Sequence, residues 1–380
     1  MNERNHDWDA MVEHQDGDLG AMEKTQLERL SSDYLKPNIG LIYLLTANLF
    51  NSAMVVSTKL LETDPSLEKP ITPLQILAVR MIITYGGTLI YMYMNRSKIE
   101  HVPWGPPGLR KWFVLRGVFG FFGVFGMYYA LMYLSVPDAT VISFLGPSLT
   151  GIMAWMILHE RYSKIEASGA FVSLFGVVMI VRPAFLFGSP DNRPANDAVE
   201  SNSPRDRLVA SLIALLGVFG ASNVYIIIRH IGNRAHAIMT VSYFALIVSV
   251  ISVVGICTIP SIGFQTPQTS RQWLLFSIIG FSGFFMQLLL TMGIQRERAG
   301  RGAFMSYSQI LYALLWDLLI WNHLPGLWSW CGIVIIIGSA ICVLKYKPKA
   351  EAPVLTDQEA NRAIQLQDLE VDEAHQQTKG

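Results

Sequence analysis

Ionisable side chains inside apolar stretches are the first candidates for chemistry, because each is costly in hydrocarbon unless it faces a partner or water. This chain holds few of them. Arg80 stands eight residues into an apolar stretch that begins at Thr72, which at 1.5 Å per residue places it roughly 12 Å deep. A guanidinium there either grips an anionic group through paired hydrogen bonds or neutralises an acid on another helix. Asp317, the only acid well inside any apolar stretch, either holds a coupling proton or cation or forms a charge pair with Arg80 or Lys59. Neither arrangement is a catalytic constellation.

Polar stripes accompany these charges. Asn48, Asn51, Ser52, Val55 and Lys59 fall within an arc of about 100° on one helix and read as the lining of a crevice, with Lys59 also able to snorkel outward. Ser222, Asn223 and Tyr225 form a looser counterpart that suits helix packing as well as it suits a ligand. The stretch Pro137 to Arg161, PDATVISFLGPSLTGIMAWMILHER, gathers Thr140, Ser143, Pro147, Thr150 and Ala154 on an arc of about 80°. Pro147 removes a backbone donor there and so predicts a kink, a hinge or a carbonyl free for a ligand. Gln309 occupies the related place in the second half of the chain. The candidate binding residues are therefore Arg80, Asn48, Asn51, Ser143, Pro147, Asn223 and Gln309, with Asp317 and Lys59 as a coupling or charge pair.

Other groups have plainer readings. Arg116 follows Arg110 and Lys111 closely enough to snorkel to the inner interface. Gly117, Gly120, Gly123 and Gly126 wind around their helix and permit close packing rather than a phosphate loop. His159 and Glu160 diverge on a helix and predict an interfacial salt-bridge cluster with Arg161 and Lys164. Tyr128, Tyr129, Tyr307 and Tyr312 are able to line a site but more commonly pack. With no cluster of His, Asp or Cys at one depth, no catalytic residue, metal or cofactor is expected. Cys257, Cys331 and Cys342 have no metal or disulfide spacing and read as core residues.

The elements that must position these residues are ten apolar spans: 39–59, 72–94, 112–134, 139–158, 165–181, 208–228, 237–258, 272–294, 303–321 and 327–344. Hydrophobic residues make up 51% of the chain and charged ones 15%, against about 25% in soluble domains. The balance of 29 basic and 29 acidic side chains argues against a nucleic-acid partner. The class is an all-α integral membrane protein in a lipid bilayer. Fourteen Lys and Arg fall on connections at the side of the N-terminus and seven on the other, so both termini are expected in the cytoplasm. Residues 1–38 and 345–380 read as disordered cytoplasmic tails, and 182–207 as a polar non-cytoplasmic loop.

The two halves, 39–181 and 208–344, repeat one another. Glu160 aligns with Asn322 and Pro147 with Gln309 at an offset of 162, and Gly120 and Gly123 align with Gly280 and Gly283 at 160. Five spans are an odd number, so the second half enters the membrane inverted. The paired blocks beginning RGVFGFFGVFG and GFSGFFMQ resemble the two EamA repeats of the drug/metabolite transporter superfamily. The small-residue run, the proline and the terminal His159-Glu160-Arg161 are its most telling segment, and the second repeat departs from it with Gln309 and Asn322. Length, tails and central loop are most similar to eukaryotic members related to the solute carrier 35 group. The resemblance implies ten helices and carriage of small metabolites. The expected function is therefore secondary transport of a small polar, anionic metabolite by alternating access, with a homodimer compatible with the plan. The alternative is a non-transporting scaffold on the same fold, which holds a partner through its tails.

Overall fold

The structure is a computed structural model that describes residues 36–62, 64, 71–99, 101–134, 136–160, 162–181, 204–258, 265–322 and 326–345. The expected tails, apart from residues 36–38 and 345, which are helical, and all but the end of the expected polar loop lie outside the described residues. Within them the regular elements are helices: α1 (Lys36–Glu62), α2 (Pro73–Met94), α3 (Arg110–Leu131), α4 (Val136–Ser143), α5 (Gly146–Ile157), α6 (Lys164–Val181), α7 (Pro204–Ile231), α8 (Ala237–Thr258), α9 (Ser270–Arg296), α10 (Ala299–Phe304), α11 (Ser308–Trp321) and α12 (Leu327–Lys345). Among the described residues nine stretches are long and apolar enough to cross a membrane, and a shorter apolar helix, Leu327–Val343, supplies the tenth span. These ten match the expected spans to within a few residues. Two spans are each made of two helices, α4 with α5 and α10 with α11.

Local chemistry sets several of these boundaries. Pro73 opens α2, where its missing N–H is not needed. Thr269 caps α9 through the Gln272 N–H, and the Gln272 side chain reaches back to the Thr269 N–H. At the far ends of the fourth and ninth spans, His159 and Asn322 turn into the left-handed region at φ 53° and 50° and stop their helices. The corresponding spans of the two halves thus end on the same device, one residue out of register with the sequence alignment.

Packing follows the repeat. The most extensive contacts are α1 on α9 and α3 on α7, pairs that exchange when the halves are superimposed in sequence, followed by α2 on α8. Gly176 on α6 and Gly332 on α12 bring those helices together, and the Ser173 and Ser339 hydroxyls meet at 2.6 Å between them. The outer surface is apolar, with Trp155, Phe171, Phe175, Leu212 and Leu319 exposed where lipid replaces water. Cys257, Cys331 and Cys342 are exposed on this surface. The expectation that they are core residues is corrected: in a lipid-facing protein an apolar span does not place every apolar residue inside. Arg116 also departs from expectation. It turns inward, 1% exposed, donating to Gln287 Oε1 at 2.7 Å and lying 3.9 Å from the Phe244 ring centroid.

Candidate functional site

The two interrupted spans define the site. Pro147 cannot donate a backbone hydrogen bond, and the helix breaks at Phe144 and Leu145 just before it. The Phe144 carbonyl is taken instead by the Tyr307 hydroxyl at 3.2 Å, which also donates to the Ala170 carbonyl at 3.0 Å. In the other repeat a 3-10 turn, Met305–Tyr307, separates α10 from α11. Asn48 Nδ2 donates to the Met305 carbonyl at 2.8 Å and lies 3.0 Å from Ser308 Oγ. Each break is therefore stitched by a side chain from elsewhere, Tyr307 for one and Asn48 for the other.

A cavity of about 790 Å³ lies between the broken spans. Its floor is Pro147, Thr150, Ala303, Ser306 and Tyr225, near the middle of the bundle. From there it extends along Val55, Lys59, Met127, Leu131 and Leu314 toward the end of the bundle that carries Lys59. The Tyr225 hydroxyl lies 3.1 Å from Ser306 Oγ across the floor, and Ser222 donates to the Gly146 carbonyl at 3.4 Å. Arg80 lines one wall. It crosses α9 at Gly283, where an added Cβ would lie 2.8 Å from its Nε and 3.0 Å from its Cγ, so the absent side chain is what admits the arginine. Arg80 Nε is buried without a hydrogen-bond partner among the described residues. Two cations, Lys59 and Arg80, and no carboxylate line the cavity among the described residues.

The opposite end of the bundle is shut. There α5 packs on α10, whereas α4 and α11, the other halves of the same spans, do not pack closely. Gly151 and Gly300 allow the first contact: a Cβ on Gly300 would lie 3.1 Å from the Gly151 Cα. Glu160 locks it. One carboxylate oxygen accepts Arg229 Nε at 2.7 Å and the other accepts the Ala299 N–H at 2.9 Å, while Arg229 also donates to the Gln295 carbonyl at 3.0 Å. A second ion pair joins Arg298 to Glu166, which also accepts the Ser163 N–H at 3.1 Å. Burial and the Glu166 charge push the nearby Tyr162 phenol above its ordinary pKa. At the Lys59 end, Asp138 and Arg207 approach at 4.0 Å.

Of the residues singled out in the sequence, the cavity brings together Arg80, Ser143, Pro147, Gln309 and Lys59. Asn48 is not on its lining and holds the ninth-span break instead. Asn51 is also off the lining, and Asn223 Nδ2 turns back to the Phe219 carbonyl at 2.8 Å. Asp317 lies on α11, but its side chain is outside the described residues. The third and eighth spans also contribute wall residues, Tyr128 and Ile279. Glu160 forms an ion pair with Arg229, and Arg161, one of its expected partners, lies outside the described residues.

The chain matches the EamA-like transporter family over residues 38–182 and 208–345, one match to each half. It is 56% identical to an uncharacterized membrane protein of Saccharomyces cerevisiae over 88% of this chain and 84% of that one. A protein of the same yeast named as a probable transport protein is 51% identical, over 90% of this chain and 99% of its own. The human solute carrier family 35 member G1 is 32% identical over 63% of this chain and 62% of its own length.

Proposed function

The chain belongs to the EamA-like transporter family and is a multi-pass membrane transporter, and we propose that it carries a small polar, anionic metabolite by alternating access, with both termini cytoplasmic. The observation that carries the reading is the asymmetry of the two broken spans. Their halves α5 and α10 are locked together by Glu160, while α4 and α11 stand apart around a cavity. In a pair of inverted repeats the exchange of these two arrangements moves the opening from one side of the membrane to the other. With the N-terminus in the cytoplasm, the Lys59 end is the outer one.

The anionic character of the cargo rests on the wall. A cavity of about 790 Å³ suits a small metabolite, and the cation that supports the reading is Arg80, with no carboxylate on the lining among the described residues. Arg80 has an N–H to give and sits where water is scarce, so a carboxylate or phosphate gains more from it than a neutral sugar does. Ser143, Gln309, Ser306 and Tyr225 supply neutral donors and acceptors for orientation. Asp317, on α11, is the candidate either for a charge pair with Arg80 or Lys59 or for a coupling proton or cation.

A thermal-shift screen of purified protein against anionic, neutral and cationic metabolites tests this assignment. Stabilisation by anions that disappears in Arg80→Gln agrees with it. Stabilisation only by cations, or anion effects equal in the variant, contradicts it.

A further inference from the structure

A second cavity, of about 310 Å³, lies at the Glu160 end of the bundle, apart from the first. Its wall comes from the turn after α2, the α7–α8 turn and the last turn of α9. Lys98, Arg234 and Arg296 converge on it with His101 and His236, and no carboxylate lines it among the described residues. None of the three permanent cations joins an ion pair among those residues. A topological bias toward basic loops explains cations at this end, but not their collection around one concavity.

The groups are also held in place. Arg234 Nε donates to the Ile231 carbonyl at 3.3 Å and its Nη2 to that of His230, ending α7. Arg296 Nη1 donates to the Met292 carbonyl at 2.9 Å, and the guanidinium lies 5.3 Å from the Tyr43 ring centroid. His236 Nδ1 accepts the Ile238 N–H at 3.2 Å, so the neutral ring carries its proton on Nε2. Burial and the Arg296 charge hold its pKa below the ordinary value, which keeps that ring a neutral donor. The N-terminus of α8 begins at the same wall and adds its partial positive charge.

We propose that this pocket binds a phosphate monoester group, through Lys98, Arg234 and Arg296. Its position at the helix ends, where the bundle meets water, suits two sources of one chemistry: the phosphorylated headgroup of an inositol lipid, or a soluble phosphate. Three cations and imidazole donors match a group of charge near −2 better than a single carboxylate. Gln295 joins this pocket to the lock, since its side chain donates to the Ala235 carbonyl at 3.1 Å and its own carbonyl accepts Arg229. On the carrier reading, which this consequence alone rests on, occupancy holds the Glu160 end shut.

Binding is measured directly on the purified full-length protein by native mass spectrometry and thermal melts. The probes are short-chain phosphatidylinositol 4-phosphate, phosphatidylserine and inorganic phosphate. The proposal expects the phosphoinositide to bind at least about tenfold more tightly than phosphatidylserine, and Lys98→Gln with Arg296→Gln to weaken it roughly tenfold. Inorganic phosphate that binds with the same sensitivity to the variants, without preference for the lipid, assigns the site to a soluble ligand. Lys98→Glu, in an exposed turn, carries the test if the double variant does not fold. Binding of neither phosphate probe, or binding unchanged in the variants, overturns the proposal, and neither readout depends on transport.

Discussion

The carboxylate of Glu160 bridges the two repeats: Arg229 Nε reaches one oxygen at 2.7 Å while the Ala299 N–H reaches the other at 2.9 Å. Both acceptor sites are used, and both side chains are largely withdrawn from solvent. Glu160→Gln removes the charge and leaves Arg229 with a weaker acceptor, at a cost of about 1–3 kcal/mol. The expected result is a looser closed end. A cysteine at Ala154, which is 2% exposed beside the lock, should react with a maleimide roughly tenfold faster in the Glu160→Gln background than in its absence, with the three native cysteines replaced. Unchanged reactivity would show that Glu160 does not hold this end.

Gly283 is the test of how Arg80 is placed. In Gly283→Ala the new methyl meets Nε, Cγ and Cδ of Arg80 at 2.8, 3.0 and 3.2 Å, and the long flexible side chain is what must move. The melting temperature should change by only a few degrees, while anion-induced stabilisation falls by at least half. A variant that melts much lower but responds normally to anions would give Gly283 a packing role instead.

Asn48 and Tyr307 stitch the two breaks, and their removal should separate stability from binding. Asn48→Ala takes one donor from the Met305 carbonyl, which keeps the Ser308 hydroxyl, and Tyr307→Phe removes the hydroxyl donor from the Phe144 and Ala170 carbonyls, each at about 0.5–1.5 kcal/mol. Denaturant melts should show the loss, with the anion response of Asn48→Ala retained. Loss of the response without loss of stability would return Asn48 to the cavity wall.

How far the sequence reaches is clearest at these same residues. The spans are legible because a run of about 20 apolar residues has few uses outside a bilayer. Pro147 announces one break through its own chemistry, whereas the matching break near Gln309 has no proline and is held from outside by Asn48. A helical stripe places Asn48 on a polar face but does not say whether that face meets a cavity or a neighbouring break. The partner of Glu160 lies 69 residues away at Arg229, a distance that local pattern does not bridge. The Gly283 gap for Arg80 belongs to packing between α2 and α9, visible in sequence only as a glycine shared by both repeats.

Arg116 makes a different prediction. Its Nη2 is bound to Gln287 while Nε and Nη1 find no hydrogen-bond partner among the described residues, so its burial is incompletely compensated. Arg116→Met should be neutral or stabilising by about 1 kcal/mol, and Gln287→Leu, which strands the cation, should cost about 2–4 kcal/mol. A large loss in Arg116→Met would mean that the cation's contact with Phe244 outweighs its desolvation.

Uptake into proteoliposomes addresses the carrier directly. The protein is reconstituted, loaded with unlabelled anion from the thermal-shift screen and diluted into the labelled compound. Saturable counterflow should appear and should fall at least about tenfold in Arg80→Gln. No uptake of any stabilising compound, or counterflow indifferent to Arg80, would contradict an anion carrier with Arg80 in its binding site.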